Sequence, residues 1–413
     1  MWSWSHKIAF LVIGLTSLFL FAPGTALSWD WSVTPGVRAQ EKYTNNLLYS
    51  RVVEYEEFIT SIIPRITVKG ITERDRLNMD VNADAQIHAR NGRYDTVNIG
   101  SSLNYDRYWS ERFSTTLNAS FKKDETNDTE LQEAGYVTLR RTRYRYSGGL
   151  SGSYYISERF IMSGGGGYSY TDYPDGPYPN SQSWNIRGGP EYVLDPLNRL
   201  GISVDYDETE YDTVNFDKTS LKNMSAYLYW HHQLDETSYL KATAGYRYTW
   251  TKYLVHRIVL EQHPYFPWLY RLKDVAEIKS GAADSMIFSV EMDKRWTERF
   301  SSNVSIGRTQ YNTVDVRSVE RNYVKGSLVY RITELIDAKL GFGFDRNKYD
   351  AKMGSDSDYY RVTPSISWRI GQNLRLGVGC TYEETDYDRS NDVDRFSGWI
   401  SLSWSEPRFL SNH

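Results

Sequence analysis

The sequence predicts an all-β fold: a transmembrane, antiparallel, up-and-down β-barrel of about 18 strands, with short periplasmic turns and longer extracellular loops. Three observations predict it. Apolar and polar residues alternate with a period of two along most of the chain. Short turns and longer polar loops succeed each other in strict alternation. Beyond Phe21 no apolar run is long enough for a spanning helix, yet one face of nearly every alternating stretch is apolar.

The amino terminus stands apart. Lys7 precedes an apolar core from Ile8 to Phe21, and small residues follow in "APGTALS". That order is a secretory signal with cleavage after Ala26. The expected organisation is therefore a signal at 1–26, a barrel at 27–405 and a short tail at 406–413.

The alternation is explicit from Leu77. Leu77, Met79, Val81, Ala83, Ala85 and Ile87 fall on one face, and Asn78, Asp80, Asn82, Asp84, Gln86 and His88 on the other. The same two-faced pattern recurs from Phe113, Leu240, Met286 and Leu374. Between such stretches the chain repeats a short phrase: "WSERF" at Trp109, "ISERF" at Ile156 and "WTERF" at Trp296. Each copy is predicted to be a hairpin turn whose Phe opens the next apolar row. Related turns fill the same slot at Gly70, Val193, Gln233, Arg331 and Arg369. Most turns are separated by roughly 37–47 residues, which fits two strands and one longer loop. A propeller would need shorter strands, buried on both faces.

An apolar face on every strand, with no other apolar segment to cover it, calls for a lipid solvent. Lipid in turn forbids open sheet edges, so the sheet must close. The chain has 34 Tyr and 13 Trp, the side chains that suit a water–hydrocarbon boundary. The expected setting is the outer membrane of a Gram-negative bacterium. A barrel this wide leaves a wet lumen. The inward candidates are Arg65, Lys69, Asp80, Asp84, Arg143, Arg145, Arg187, Asp205, Lys241, Arg247, Asp293, Lys339, Arg361 and Arg375. Both signs occur, and that mixture suits a neutral or mildly charged polar solute such as a sugar.

One segment breaks the rhythm. Between the turns at Leu234 and Trp296 lies a long insertion, Lys252–Asp284. Its Tyr265, Phe266, Trp268 and Tyr270 could form a constriction loop inside the lumen, with ring faces for sugars to stack on, or an exposed cap.

Signs of catalysis are weak. The net charge of −4 gives no basic stripe for nucleic acid. The single cysteine, Cys380, excludes a disulfide framework. His231 and His232 are adjacent on a strand and point to opposite faces, so they cannot chelate one ion together. Gly164–Gly167 lack the Lys-Ser/Thr and the helix that a phosphate loop needs. Acidic loops after Lys123 and around Asp356 are solvated loops or weak cation sites. No cofactor is expected, and the chain reads as a non-enzyme.

At the start of the barrel, "VTPGVRAQEKYTNNLLYS" carries Pro35, then Glu41-x-Tyr43-Thr44-Asn45-Asn46. This order, with "FITSIIPRITVKG" from Phe58, resembles the opening strands of a family of outer-membrane β-barrel porins. That family is often associated with exopolysaccharide biosynthesis and export systems. The resemblance implies a conduit that passes a secreted polysaccharide through the outer membrane, with a separate periplasmic export partner. The alternatives are a general or sugar-selective diffusion porin, and a surface-exposed barrel adhesin or enzyme.

Overall fold

The computed structural model describes residues 29–410 apart from residues 51, 53, 127–130, 132–138, 175–177, 213–217, 264–265, 313–317, 350–355, 389–391 and 407. The expected signal therefore lies outside the described residues. The strands run in sequence as β1 (Asp30–Thr44), β2 (Glu57–Ile71), β3 (Asp75–His88), β4 (Thr96–Ser110), β5 (Phe113–Glu125) and β6 (Thr142–Tyr155). Then come β7 (Phe160–Asp172), β8 (Asn180–Asp195), β9 (Asn198–Asp212), β10 (Lys218–Asp235), β11 (Ser238–His263) and β12 (Phe266–Arg295). The series ends with β13 (Phe300–Asn312), β14 (Ser318–Arg331), β15 (Ile336–Tyr349), β16 (Ser357–Arg369), β17 (Leu374–Tyr387), β18 (Val393–Ser405) and β19 (Arg408–Leu410).

Each strand from β1 to β18 pairs antiparallel with the next, and β1 returns to pair with β18, from Gly36↔Ser405 to Thr44↔Ser397. The result is a closed barrel of 18 strands. β19 prolongs the line of β18 and pairs with Trp31–Val33 of β1. Part of the segment expected as a tail is thus bonded into the wall.

The repeated phrase owes its form to hydrogen bonding. Ser157 Oγ accepts the backbone N–H groups of Arg159 and Phe160, at 3.3 and 3.1 Å. Thr297 Oγ1 does the same for Arg299 and Phe300, at 3.2 and 3.0 Å. In the first copy the acceptor is Ser110 Oγ, bonded by Arg112 and Phe113. A short hydroxyl side chain closes the turn by standing in for a backbone acceptor. The Arg carbonyl then faces the neighbouring hairpin: those of Arg112, Arg159 and Arg299 accept the N–H groups of Tyr155, Val193 and Arg331. Hairpins are thereby joined along the rim. Ser157→Ala is expected to cost about 1 kcal/mol, because two N–H groups at an exposed turn fall back on water. Urea unfolding of the micelle-bound protein measures it.

Apolar side chains cover the outside. Leu150, Ile186, Met286 and Ile400 are exposed to 58%, 58%, 60% and 49%. They belong to outward rows such as Phe58, Ile62 and Ile66 on β2, or Met224 and Leu228 on β10. Hydrocarbon tails satisfy such a surface and water does not. Near the turns the outer face becomes aromatic and amphipathic. Trp109 donates through Nε1 to Thr115 at 2.9 Å, and the Arg107 guanidinium lies 4.3 Å from its ring centroid. This wrapping of a closed sheet in an apolar belt, with aromatics at its edge, is the form of an outer-membrane protein.

The long insertion is not a loop. The β11–β12 pairing continues past Thr251↔Gly281 through Tyr253↔Lys279 to Gln262↔Tyr270. The adjoining strands stop sooner: β10 reaches β11 only to Lys252, and β13 reaches β12 only to Phe288. The insertion is a two-stranded hairpin that outruns its neighbours. Its alternation was obscured in the sequence by prolines and aromatics clustered near the tip.

Candidate functional site: a cation-rich lumen and a loop seated in its mouth

Inside the barrel every strand presents the residues opposite in parity to the lipid-facing row. Arg65 of β2 donates to Asp80 of β3 at 2.6 Å, and Thr67 donates to the same carboxylate at 2.7 Å. Asp84 accepts from Gln86 at 2.7 Å. A recess of about 550 Å³ opens along this wall, lined by Arg38, Lys42, Asp80, Asp84, Lys122 and Asp124 among others.

Carboxylates in the lumen are shared rather than singly paired. Asp124 lies 2.9 Å from Lys122, 3.0 Å from Arg143 and 3.2 Å from Arg145. Asp345 lies 2.6 Å from Arg321 and 3.5 Å from Lys325. Glu383 lies 2.7 Å from Arg395 and 3.8 Å from Arg361. Each cluster keeps a surplus of positive charge. On the other side, Asp205 accepts from Tyr227 at 2.8 Å, and Arg247 of β11 lies 3.7 Å from Asp207 and donates to the Gln310 carbonyl of β13 at 3.1 Å. Asp293 is within 3.4 Å of the Asn303 amide. Arg187, Lys241, Lys339 and Arg375 sit at inward positions of β8, β11, β15 and β17.

Around the wall the two signs are unevenly spread. From β14 round the closure to β2, inward cations (Arg321, Lys325, Arg331, Lys339, Arg361, Arg369, Arg375, Arg395, Arg38, Lys42, Arg65, Lys69) outnumber the carboxylates Asp337, Asp345, Glu383, Asp30 and Glu57. From β8 to β12 inward carboxylates slightly outnumber the cations. Sequence parity assigned each charge to a face; only the order of strands around the wall gathers them on one side.

A second feature closes part of the mouth. The segment between β1 and β2 bends into the barrel and buries Tyr49 to 2% exposure. There Tyr49 packs with Leu131, Tyr359 and Val393, and with Tyr387 beside them. Its hydroxyl and that of Thr385 bond at 2.9 Å, and the Arg395 guanidinium lies 5.2 Å from its ring centroid. Burial pushes the Tyr49 phenol above its ordinary range. The Tyr49 backbone has φ of 51°, the left-handed region that costs a bulky residue about 1 kcal/mol.

The residues that seat this loop are those of the opening motif. Asn45 exchanges bonds with Phe396: its side chain accepts that residue's N–H at 2.7 Å, and its N–H donates to the Phe396 carbonyl at 3.1 Å. The Asn46 amide donates to the Asp394 and Ser50 carbonyls at 3.2 and 3.0 Å, and accepts the Ser50 N–H at 2.9 Å. Glu41 faces outward and accepts from Thr60 at 2.7 Å. The paired asparagines thus tie the first loop to the last long strand.

The side chains of the expected constriction loop lie outside the described residues. Tyr265 lies outside the described residues. Phe266, Trp268 and Tyr270 belong to the far end of the β11–β12 hairpin, where only the backbone is described. Tyr49, Leu131, Tyr359 and Val393 were not singled out by the sequence; the Asn45–Asn46 pair was the one signal pointing toward them. His231 and His232 face opposite ways, stacked on Tyr239 and Trp230. Among the described residues no group of three His, Cys, Asp or Glu side chains is placed to hold a metal ion.

No protein-family model and no curated protein matches this chain. Among solved structures it is similar to the outer membrane protein OpdK of Pseudomonas aeruginosa, at 10% identity and a TM-score of 0.46, over 91% of this chain and 99% of that one. It is similar also to OccK2 (OpdF) of Pseudomonas aeruginosa, at 11% identity and a TM-score of 0.47, over 92% and 98% of the two chains. For the ferric-catecholate import receptor Fiu of E. coli K12 the values are 7% and 0.45, over 90% and 81%.

Proposed function

We propose that this barrel is an aqueous channel of the outer membrane, and that its cargo is a saccharide polymer on its way out of the cell. The observation that carries the channel reading is the hydrated, charge-studded interior, which no dry core could hold. Arg65, Asp80, Asp84, Arg143, Arg145, Arg187, Asp205, Lys241, Arg247, Asp293, Lys339, Arg361 and Arg375 are the proposed pore lining. The first loop, through Tyr49, narrows the outer end. Export rests on the resemblance of the Glu41–Asn46 motif and on the loop it seats, with a separate periplasmic partner delivering the polymer.

Two measurements test this. The purified protein in a planar bilayer is expected to give discrete, ohmic conductance steps; a silent bilayer despite verified insertion overturns the channel. A deletion strain is expected to retain polymer in the periplasm; undiminished secretion overturns export. Conductance with normal secretion would leave a diffusion porin, which the same wet lumen favours.

A further inference from the structure

Halfway along β18 the inward alternation delivers an aromatic residue, Trp399. Among the described strand residues it is the one tryptophan whose parity turns it to the lumen. The indole lies across the neighbouring strand. A β-carbon at Gly379 would come within 2.6 Å of the ring, and one at Gly377 within 3.1 Å. These glycines leave the floor on which the ring rests against the wall. The half-buried ring is fixed in place without filling the channel.

Toward the periplasm, two inward rows further down, three arginines gather. Arg369 of β16 stands directly opposite Arg375 of β17. Arg375 pairs with Ser403, and Ser403 with Arg38 of β1. All three are exposed, and among the described residues none forms an ion pair. Like charges directly opposite on adjacent strands destabilise a sheet. Here that cost is left in place at the wet end of the cationic wall. An anion bound between them would relieve it, and the planar fork of arginine is shaped for a carboxylate or another oxyanion.

The two features lie on one line of travel. Ser403, in the arginine row, is four residues from Trp399 along β18, roughly 13 Å at the rise of a strand. That distance matches a few linked sugar rings. We propose that Trp399 and the Arg38–Arg369–Arg375 row form a subsite for an oxyanion-bearing saccharide. The ring takes the C–H face of one sugar while the guanidiniums take the anion of a neighbour. This rests on the saccharide-conduit reading and narrows it to acidic glycans.

The test uses the whole barrel with three probes of matched length: oligogalacturonate, a sulfated oligosaccharide and a neutral maltooligosaccharide. Titration calorimetry on the micelle-bound protein reads binding without requiring conduction. An acidic probe is expected to bind roughly tenfold or more tightly than the neutral one, and the two acidic arms tell which oxyanion fits. Trp399→Ala is expected to weaken binding of the preferred probe by roughly tenfold. Gly379→Ala, which tilts the indole without removing it, is expected to act in the same direction. The triple variant R38Q/R369Q/R375Q should erase the preference while keeping neutral-probe affinity, with heat-modifiable mobility reporting the fold. Equal affinity for acidic and neutral probes overturns the inference, as does a Trp399→Ala barrel that binds like the parent. A bilayer that stays silent while the acidic probe still binds overturns the channel and leaves the subsite standing.

Discussion

Replacing Arg395 by methionine is expected to unseat the mouth loop, destabilise the barrel by ~3 kcal/mol and raise its single-channel conductance. Arg395 and Glu383 are both buried, with side chains 3% exposed and 2.7 Å apart. Glu383 also accepts from the Tyr359 hydroxyl at 2.8 Å. Methionine fills most of the arginine's volume, so the loss is charge and not space. It leaves a carboxylate in a pocket that has paid to exclude water, and breaking one side of a buried pair costs about 3–5 kcal/mol. Arg361, 3.8 Å from the same carboxylate, holds the cost to the lower part of that range. Tyr49 loses the cation over its ring as well, about 0.5–2 kcal/mol. Its left-handed backbone then has less to hold it, and the loop leaves the mouth. Thermal unfolding in micelles reads the stability and planar bilayers the conductance. If both match the parent, Arg395 does not hold the loop. Adding Glu383→Gln to Arg395→Met should recover much of the stability and none of the closure.

The second large effect contrasts two neighbouring residues. Val362→Arg is expected to cost ~2–4 kcal/mol, the range for a cation on the lipid face of a barrel near mid-membrane. Val362 lies near the middle of β16 and is 43% exposed on the outer surface. Thr363→Arg, one residue on, is expected to cost less than about 1 kcal/mol, since its side chain enters a hydrated lumen beside Gly341 and Thr381. The readout is the urea midpoint of folding into lipid vesicles, together with the folded fraction on unheated gels. Equal tolerance at the two positions would mean that hydrocarbon does not bathe the Val362 face, and the barrel's orientation would have to be redrawn.

How much of this was legible in the residues follows from what local pattern encodes. Strand parity is a property of adjacent residues, so "LNMDVNADAQIHA" and "FSSNVSIGRTQYN" reveal their two faces unaided. Turn chemistry is equally local, and the hydroxyls of Ser110, Ser157 and Thr297 fix the hairpins where the repeated phrase stands. In the insertion Pro264 and Pro267 break the sequence alternation near the tip, while backbone pairing runs as far as Gln262↔Tyr270. The mouth escaped for another reason. Tyr49, Leu131, Tyr359 and Val393 come from separate parts of the chain, and only closure brings them together. The charge asymmetry was hidden likewise, because Arg38 and Arg375 become neighbours through β18.

Closure joins the first strand to the last long one, across more than three hundred residues of chain. Such a distant contact is slow to form, since everything between must be laid down first. Asn45 and Asn46 find their partners on that same late-arriving strand. Completing the wall and stopping the leak are therefore one event: a half-assembled intermediate lacks its seam and its stopper together. Until that instant the machinery inserting the polypeptide must itself keep the envelope sealed.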